Sequence, residues 1–151
     1  MEEKKKFIIE LDEDQMFGLE YACEFMARFI CGQLDLMASG VCEEAYDKLH
    51  NNGKYGATIG TPEWYDMRNA VDEHMRELRR VCWGYKGHET KGIGYSDKSD
   101  QYWDMYQTLR KARYDDVFDD KEKEEMRHTV MSNPPSNVSG KPLIRIAEKK
   151  E

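Results

Sequence analysis

The protein has 151 residues, of which 35% are charged, and its 30 acidic and 23 basic side chains give a formal net charge of −7. This length fits one domain with one core, so we expect a single domain over residues 1–151 with flexible ends at 1–6 and 147–151. The acidic balance argues against a dedicated binder of double-stranded nucleic acid, which needs a broad basic face. No apolar run approaches the roughly 18 residues of a membrane span, so no membrane partner is expected.

The first predicted elements are a short strand and a helix. Residues 7–11, with the sequence FIIEL, form an apolar run typical of a strand. Acidic residues 12–14 follow and favour a helix start, where the helix dipole is positive. Gly32 ends this helix, and a second helical piece is expected over residues 34–49, interrupted near Ser39 and Gly40. The apolar stripe predicted for the first helix comprises Met16, Leu19, Cys23, Met26 and Ile30.

The next helix has the strongest start and stop signals in the chain. Residues 50–60 are rich in Gly and Asn and are typical of a loop. Thr61 is then in position to cap a helix that has Pro62 as its first residue, and Gly84 ends that helix. Its predicted apolar stripe comprises Trp64, Met67, Val71, Met75, Leu78 and Cys82.

The last third of the chain combines one helix, an acidic stretch and a second strand candidate. Ser96 or Asp97 caps a helix that follows a glycine-dense loop at residues 84–96. Residues 115–140 are expected to form an acidic, proline-containing connection, in which 115–125 hold seven acids and two lysines. The apolar run at 142–146 could pair with residues 7–11, since a lone strand leaves its backbone groups unmatched. The predicted fold is therefore α+β and mostly helical, with three main helices and a small sheet formed by the two end strands.

The spacing of cysteines and histidines excludes the common local metal motifs. No C-x-x-C pair exists, and no two histidines are three to five residues apart, so neither a zinc ribbon nor an H-E-x-x-H site is present. No G-x-S-x-G motif marks a nucleophile. We therefore expect no catalytic residue, no metal and no cofactor, and three of the four cysteines are expected to be small core residues. The residues concerned are Cys23, Cys31, Cys42 and Cys82, and His50, His74, His88 and His128.

Residues 84–113 form the segment best suited to bind a ligand. They hold six basic residues against four acids, together with five aromatic side chains. Glycines let backbone N–H groups approach an anion, the following helix presents its positive end, and an arginine can bind a phosphate through two hydrogen bonds. The opposing interpretation is structural, because glycine loops before helices are common and aromatic stripes usually lie in cores. Neither known phosphate-loop motif is matched.

Four sequence patches together resemble a family of small, largely uncharacterised proteins of tailed phages. The patches are Arg28-Phe29-Ile30-Cys31-Gly32-Gln33, Lys91-Gly92-Ile93-Gly94, Trp103 to Arg110, and a tail with Pro135, Ser139, Pro142, Leu143 and Ile146. The chain departs from the family where Cys31 replaces a glycine, Lys91 replaces a tyrosine, and Lys111-Ala112 replaces a His-Arg pair. The resemblance implies a counter-defence protein in the cytoplasm of an infected bacterium.

The predicted ligand-binding residues come from these two lines of reasoning. The ligand-binding segment supplies Lys91, Gly92, Gly94, Tyr95, Ser96, Tyr106, Arg110 and Arg113, and the resemblance adds Arg28 and Gln33. Arg110 lies about 20 Å along its helix from the loop, at 1.5 Å per residue. Either the loop folds back along the helix, or Arg110 completes a site in a second subunit of a homodimer or larger homo-oligomer.

Two functions of different kinds fit the sequence. The first is a sponge that binds a small phosphate-bearing nucleotide signal, of the cyclic oligonucleotide or cyclic ADP-ribose type, without turnover. The second is an acidic inhibitor that binds a host defence protein directly, with residues 115–125 as its negative surface. The first is favoured because the one atypical cluster is basic and aromatic rather than acidic.

Overall fold

The protein is helical in the computed structural model, which describes residues 7–34, 36–54, 56–86 and 89–145. Helices account for 62% of these residues. In the described residues the helices are α1 (Glu13–Ile30), α2 (Glu43–His50), α3 (Pro62–Trp83), α4 (Asp97–Asp116) and α5 (Asp120–Met126), with a π-helical segment at Met37–Cys42 and a 3-10 turn at Val130–Ser132. No helix in these ranges has both the length and the apolar character needed to cross a membrane.

The predicted sheet is wrong, and so is the α+β class. The described residues contain no strand, and residues 7–11 lie outside any regular secondary structure. Residues 142–145 are also outside any strand, and Ile146 lies outside the described residues, as do the predicted flexible ends. The physical reason is the small size of the predicted pair: two isolated five-residue strands bury too little apolar surface to hold together, and Pro142 offers no N–H to a ladder.

The helix boundaries follow the capping signals in the sequence. The Thr61 hydroxyl accepts a hydrogen bond from the backbone N–H of Trp64, and Gly84 ends α3 with φ +70°. The Ser96 hydroxyl accepts from the N–H of Ser99 at the start of α4. At α5 the capping box is formed by Asp119 and Glu122, each side chain accepting from the backbone of the other. The signals at Thr61, Gly84 and Ser96 were recognised in the sequence, whereas the capping box of α5 lies in a stretch that was predicted as a connection.

The chain forms two compact units. The boundaries between them fall within α1 and within α4. The first unit comprises residues 1–24 and 100–151, and the second comprises Phe25–Ser99. In the described residues, the first unit therefore contains the start of α1, most of α4, α5 and the 3-10 turn. The second contains the end of α1, the π-helical segment, α2, α3 and the glycine-dense loop.

The described interior is more polar than the sequence suggested. Its fully buried apolar residues are Cys23, Ala27, Cys31, Leu34, Tyr85 and Leu109. The buried side of α1 includes Glu20, whereas the predicted stripe residue Leu19 is 36% exposed. Cys82, predicted to face the core, is exposed. A core this poor in aliphatic side chains depends on its buried polar groups being paired.

Asp47 organises the connection between α2 and α3. Its carboxylate is 1% exposed, and its Oδ1 accepts hydrogen bonds from the Asn51 amide and the Thr58 hydroxyl, both at 2.8 Å. Burial acts to raise the pKa of Asp47. Hydrogen bonds from Thr58 and Asn51 and from the backbone at Gly56 and Ala57 outweigh burial and hold the pKa below its ordinary value. The carboxylate therefore stabilises the loop in its ionised form.

We expect this loop to make stability dependent on pH. Because folding lowers the pKa of Asp47, its contribution is complete well above the unfolded value of about 3.9 and is lost as the pH falls through the folded pKa. Urea unfolding between pH 7 and pH 3 should show Asp47→Asn less stable than wild type at pH 7, with the difference shrinking on acidification. A difference that stays constant over this range would contradict the assignment.

Candidate functional site

A buried ion pair joins α1 to α4 in the first unit. The Nε and Nη2 atoms of Arg113 donate to the two carboxylate oxygens of Glu20 at 2.7 and 2.9 Å. Glu20 is 5% exposed, and the Arg113 guanidinium also lies against the rings of Phe17 and Phe118, at 5.0 and 5.4 Å from their centroids. Both charges are thus neutralised inside the unit, so Arg113 already has its anion.

Arg110, one turn earlier on α4, is buried without an acid. It is 3% exposed, and its Nη2 donates to the Gln107 Oε1 at 3.0 Å and to the Asn133 carbonyl at 3.4 Å. Its guanidinium lies 5.6 Å from the centroid of the Tyr106 ring. Its Nε is buried with no hydrogen-bond acceptor, and no carboxylate of the described residues forms an ion pair with it. The site therefore holds a cation whose partners are all neutral.

Residues 133–139, here named the strap, run along α4 in the opposite direction. At one end the Asp104 carboxylate accepts hydrogen bonds from the backbone N–H of Val138 at 2.9 Å and from the N–H and hydroxyl of Ser139 at 3.0 and 2.6 Å. At the other end the Asn133 carbonyl accepts a hydrogen bond of 3.4 Å from the Arg110 Nη2. Between them, the buried Ser136 hydroxyl has no hydrogen-bond partner. The strap is therefore held firmly at Asp104 and weakly at Arg110.

Tyr106 completes the surroundings of Arg110. Burial is the main cause that raises the pKa of its phenol, and the negative charges of Glu24 and Glu20 raise it further, while Arg110 opposes them. The Trp103 and Tyr106 ring centroids are 5.1 Å apart. Since the phenol stays neutral at physiological pH, Tyr106 can serve only as a hydrogen-bonding group and an aromatic face.

In the second unit, residues 89–95 dock onto the end of α1, and we name them the docked loop. The Gln33 amide donates to the Lys91 carbonyl at 2.6 Å, and the Lys91 N–H donates to the Cys31 carbonyl at 3.2 Å. The Arg28 Nη1 donates to the Gln33 Oε1 at 3.0 Å, which fixes the orientation of the amide. The Cys31 thiol points to the Gly92 carbonyl at 3.6 Å. These hydrogen bonds hold the loop in place.

The close packing behind the docked loop requires a glycine at position 32. Gly32 has φ +75°, and a Cβ built there would come within 2.7 Å of the Tyr85 ring. The Tyr85 hydroxyl donates to the Cys31 carbonyl at 3.1 Å, and the Trp83 indole donates to the Ile30 carbonyl at 2.9 Å. Burial raises the pKa of Tyr85, with a smaller contribution from Tyr95. Trp83, the last residue of α3, and Tyr85, two residues later, therefore satisfy carbonyl groups at the end of α1.

The structure brings the predicted site residues into two separate groups. Arg28, Gln33, Lys91 and Gly92 form the hydrogen-bonded docked loop described above. Of the remaining predicted loop residues, Gly94 has φ +85°, Tyr95 is 44% exposed and Ser96 caps α4. The residues placed in the first unit are Tyr106, Arg110 and Arg113. Among these predicted residues, Arg110 is the buried cation whose Nε has no hydrogen-bond partner in the described part of the chain.

Sequence reasoning missed the buried acids and one buried arginine. Glu20 and Asp104 were not selected, although they determine which arginine is neutralised and where the strap is held. Arg79 on α3 is 3% exposed, and its Nε has no partner in the described residues. A signal existed for Arg79, since it lies four residues after Met75 and eight after Val71, on the apolar stripe of α3.

A groove on α3 in the second unit was also not predicted. Its volume is about 720 Å³, and it is lined by Glu73, His74, Arg76, Glu77, Arg80, Tyr85 and Lys86. Arg80 donates to both carboxylate oxygens of Glu77 at 2.6 and 2.9 Å, and this hydrogen bonding lowers the pKa of Glu77. The groove is therefore partly neutralised by its own side chains. Within the described residues, no group of three His, Cys, Asp or Glu side chains could hold a metal ion.

Comparison with protein-family models, with curated proteins and with solved structures finds no match to this chain. The resemblance to small phage proteins therefore stays a prediction. The arguments for a function rest on the local chemistry of the two groups of residues.

Replacing Gly32 by alanine should destabilise the second unit more than the same change at Gly84. Both positions have positive φ, which costs an alanine about 1–2 kcal/mol, but only at Gly32 does the new Cβ meet another side chain. We expect Gly32→Ala to lose about a further 1–3 kcal/mol from the contact with Tyr85. Equal losses in urea unfolding would show that the Gly32–Tyr85 contact is unimportant.

The two arginines of α4 should respond oppositely to substitution. Arg113→Met leaves Glu20 buried without its counter-charge, so we expect a loss of about 3–5 kcal/mol in unfolding free energy. Arg110→Met removes a buried cation that has no acid, so the ligand-free protein should be within about 1 kcal/mol of wild type or more stable. Chemical denaturation of the two variants measures this contrast. A large loss in Arg110→Met would show that its neutral partners satisfy it fully.

Proposed function

We propose that this protein binds the phosphate of a small nucleotide-type molecule at Arg110 and holds it without turnover. The observation that carries the proposal is the pair of arginines on α4. Arg113 is neutralised by Glu20, whereas Arg110 is more deeply buried, lacks an acidic partner among the described residues and has an Nε without an acceptor. A phosphate supplies both the missing charge and the missing acceptor.

The energetics favour an anion at Arg110. An ionised group taken out of water without an opposite charge is destabilising, and arginine cannot relieve this by losing its proton. Guanidinium groups bind phosphates through parallel hydrogen bonds, which need the Nε and one Nη atom. The Nε of Arg110 is unused, and its Nη2 bond to the Asn133 carbonyl is long at 3.4 Å. An incoming phosphate oxygen can replace that carbonyl at small cost.

The groups around Arg110 suit the rest of such a ligand. Ser136, on the strap, has a buried hydroxyl that makes no hydrogen bond. This hydroxyl could donate to a second phosphate oxygen. Tyr106 and Trp103 place aromatic rings on the same helix, and bases stack on such rings for about 1–3 kcal/mol each. The strap is weakly held at its Asn133 end, so that end offers the route by which a ligand reaches the guanidinium.

The biological role rests on the sequence resemblance. Proteins of this size and charge in phages suit a counter-defence role, and a sponge for cyclic oligonucleotide or cyclic ADP-ribose signals would act in the cytoplasm of the infected host. The contribution of residues 91–96 to ligand binding stays a prediction. The hydrogen bonds described for the docked loop join it to Cys31 and Gln33, and they do not point to a ligand.

The inhibitor alternative is disfavoured by what the acidic stretch does. Asp119 and Glu122 form the capping box of α5, and Asp115 binds Lys111 at 2.6 Å. Glu124 pairs with Arg127 at 3.1 Å and Glu125 with Lys121 at 3.9 Å. Five of the seven carboxylates in residues 115–125 therefore have local partners, three of them basic side chains, which reduces the negative charge available to mimic a nucleic-acid backbone.

Calorimetry against cyclic di- and trinucleotides and cyclic ADP-ribose isomers tests the function directly. We expect saturable binding by the wild type and a loss of about 1.5–3 kcal/mol in binding free energy for Arg110→Gln, the usual value of a charge-assisted hydrogen bond. Binding should weaken as salt is added. Mass spectrometry of the bound fraction should recover the ligand intact.

Arg113→Gln is the matched control, because it removes the same charge from the same helix at a position already neutralised by Glu20. At a temperature where this variant is folded, it should retain much more affinity than Arg110→Gln. Equal losses of affinity in the two variants would mean that binding depends on the net charge of the protein and not on the Arg110 site. No heat with any of the nucleotides would overturn the proposed function.

A further inference from the structure

The charges enclosed in the first unit limit what Arg110 can bind. Among the described residues of this unit, three acids, Glu20, Asp100 and Asp104, and one arginine, Arg110, are buried, and the side chain of Arg113 is 17% exposed. The Asp104 carboxylate is bound by two backbone N–H groups and a hydroxyl, none of which carries a charge. The enclosed acids therefore already outnumber the enclosed arginines before any ligand is present.

A second cation is not available on the elements that contact Arg110. Within the part of α4 that belongs to the first unit, the other basic side chains are Lys111, which binds Asp115 at 2.6 Å, and Arg113, which binds both oxygens of Glu20. The strap, residues 133–139, contains no ionisable side chain. Arg110 thus offers one positive charge, and these elements provide no unpaired cation for a second negative charge.

Negative charges reach the site from α1 as well. The Arg110 guanidinium lies 5.6 Å from the centroid of the Tyr106 ring. Burial is the main cause that raises the pKa of Tyr106, and the charges of Glu24 and Glu20 raise it further. The two glutamates therefore act on a group beside Arg110. Their repulsion acts about twice as strongly on a dianion as on a monoanion at the same place.

We propose that Arg110 takes a phosphodiester, the internal linkage of a nucleotide-type molecule, and discriminates against the terminal phosphate of an ordinary nucleotide. This inference rests on the proposed function and adds the class of phosphate to it. A phosphodiester carries one negative charge, which Arg110 neutralises. A terminal phosphate carries nearly two above pH 7, because its second pKa is about 6. The extra charge would be enclosed without a counter-charge, which is destabilising.

The hydrogen-bonding geometry of Arg110 agrees with this choice. A phosphodiester has two non-bridging oxygens, and a guanidinium presents its Nε and one Nη as parallel donors to two oxygens. The Arg110 Nε has no acceptor, and its Nη2 bond to the Asn133 carbonyl is long at 3.4 Å. These two donors match the two oxygens of a diester. The third oxygen of a terminal phosphate would bring its charge to a site that has no further cation.

Calorimetry with AMP and the methyl ester of AMP tests the inference. The two molecules have the same base and sugar, and the methyl group converts the dianionic monoester into a monoanionic diester. At pH 8, without divalent cations, we expect the wild type to bind the methyl ester about tenfold or more tightly than AMP, because the second charge is enclosed unpaired. Arg110→Gln should weaken binding of the methyl ester by about tenfold or more.

The outcomes separate this inference from the proposed function. If AMP binds the wild type as tightly as its methyl ester, and Arg110→Gln weakens both, the preference for a diester is overturned and the phosphate site at Arg110 stands. If neither molecule binds the wild type, the proposed function is overturned, and the inference with it. The comparison of the two ligands is made on the wild type, so it does not depend on the folding of a variant.

Glu24→Gln tests the electrostatic cause. This variant removes one nearby negative charge while keeping the size of the side chain. Because that charge repels a dianion about twice as strongly as a monoanion, its removal should raise the affinity for AMP more than the affinity for the methyl ester. A ratio of affinities that does not change in Glu24→Gln would contradict the inference that local charge selects the diester.

Discussion

The ion pair between Glu20 and Arg113 is the contact on which the first unit depends. It connects two residues that are 93 positions apart in sequence, and it does so inside a unit whose interior has few aliphatic side chains. A buried carboxylate and a buried guanidinium are tolerated only when each satisfies the other. This requirement fixes how α1 and α4 face each other there. Arg110, one turn away, has no acidic partner among the described residues.

The second unit follows the same rule with different partners. Glu43 is 4% exposed, accepts from the Trp64 indole at 2.8 Å and has Arg68 at 3.8 Å. The Oδ1 atom of Asp47 accepts from Asn51 and Thr58, whereas its buried Oδ2 has no hydrogen-bond partner in the described residues. Its buried carboxylates thus have donors, whereas Arg79 keeps an Nε without an acceptor. Acids in this protein are used to build structure. Two of the four buried side-chain atoms that lack a hydrogen-bond partner in the described residues are the Nε atoms of Arg79 and Arg110, although the protein as a whole is acidic.

The sequence predicted helix ends, which depend on neighbouring residues. It failed to predict buried contacts between residues that are far apart in the chain. Thr61, Gly84 and Ser96 mark helix ends because a cap involves only a few neighbouring residues. In the predicted stripe of α1, Cys23 is buried, but Glu20 is buried where Leu19 was predicted. An acidic residue is not expected in a core unless its partner, here Arg113, is known. Residues from three of the four patches behind the family resemblance were interpreted as site residues, and the fourth patch supplied none. Two pairs of them are in fact contacts, since Gln33 holds Lys91 and Asp104 holds Ser139. The terminal sheet failed because an apolar run shows that a strand is possible, but not which partner it has.

The central claim is that Arg110 is kept available for an anion while Arg113 is not. Nuclear magnetic resonance of the arginine Nε–H groups, assigned with single substitutions, measures this atom by atom during a titration with inorganic phosphate. We expect the Arg110 Nε–H resonance to shift in a saturable manner while that of Arg113, bound to Glu20, stays in place. A titration in which Arg110 does not move, or in which all arginines shift in parallel without saturation, would contradict the account.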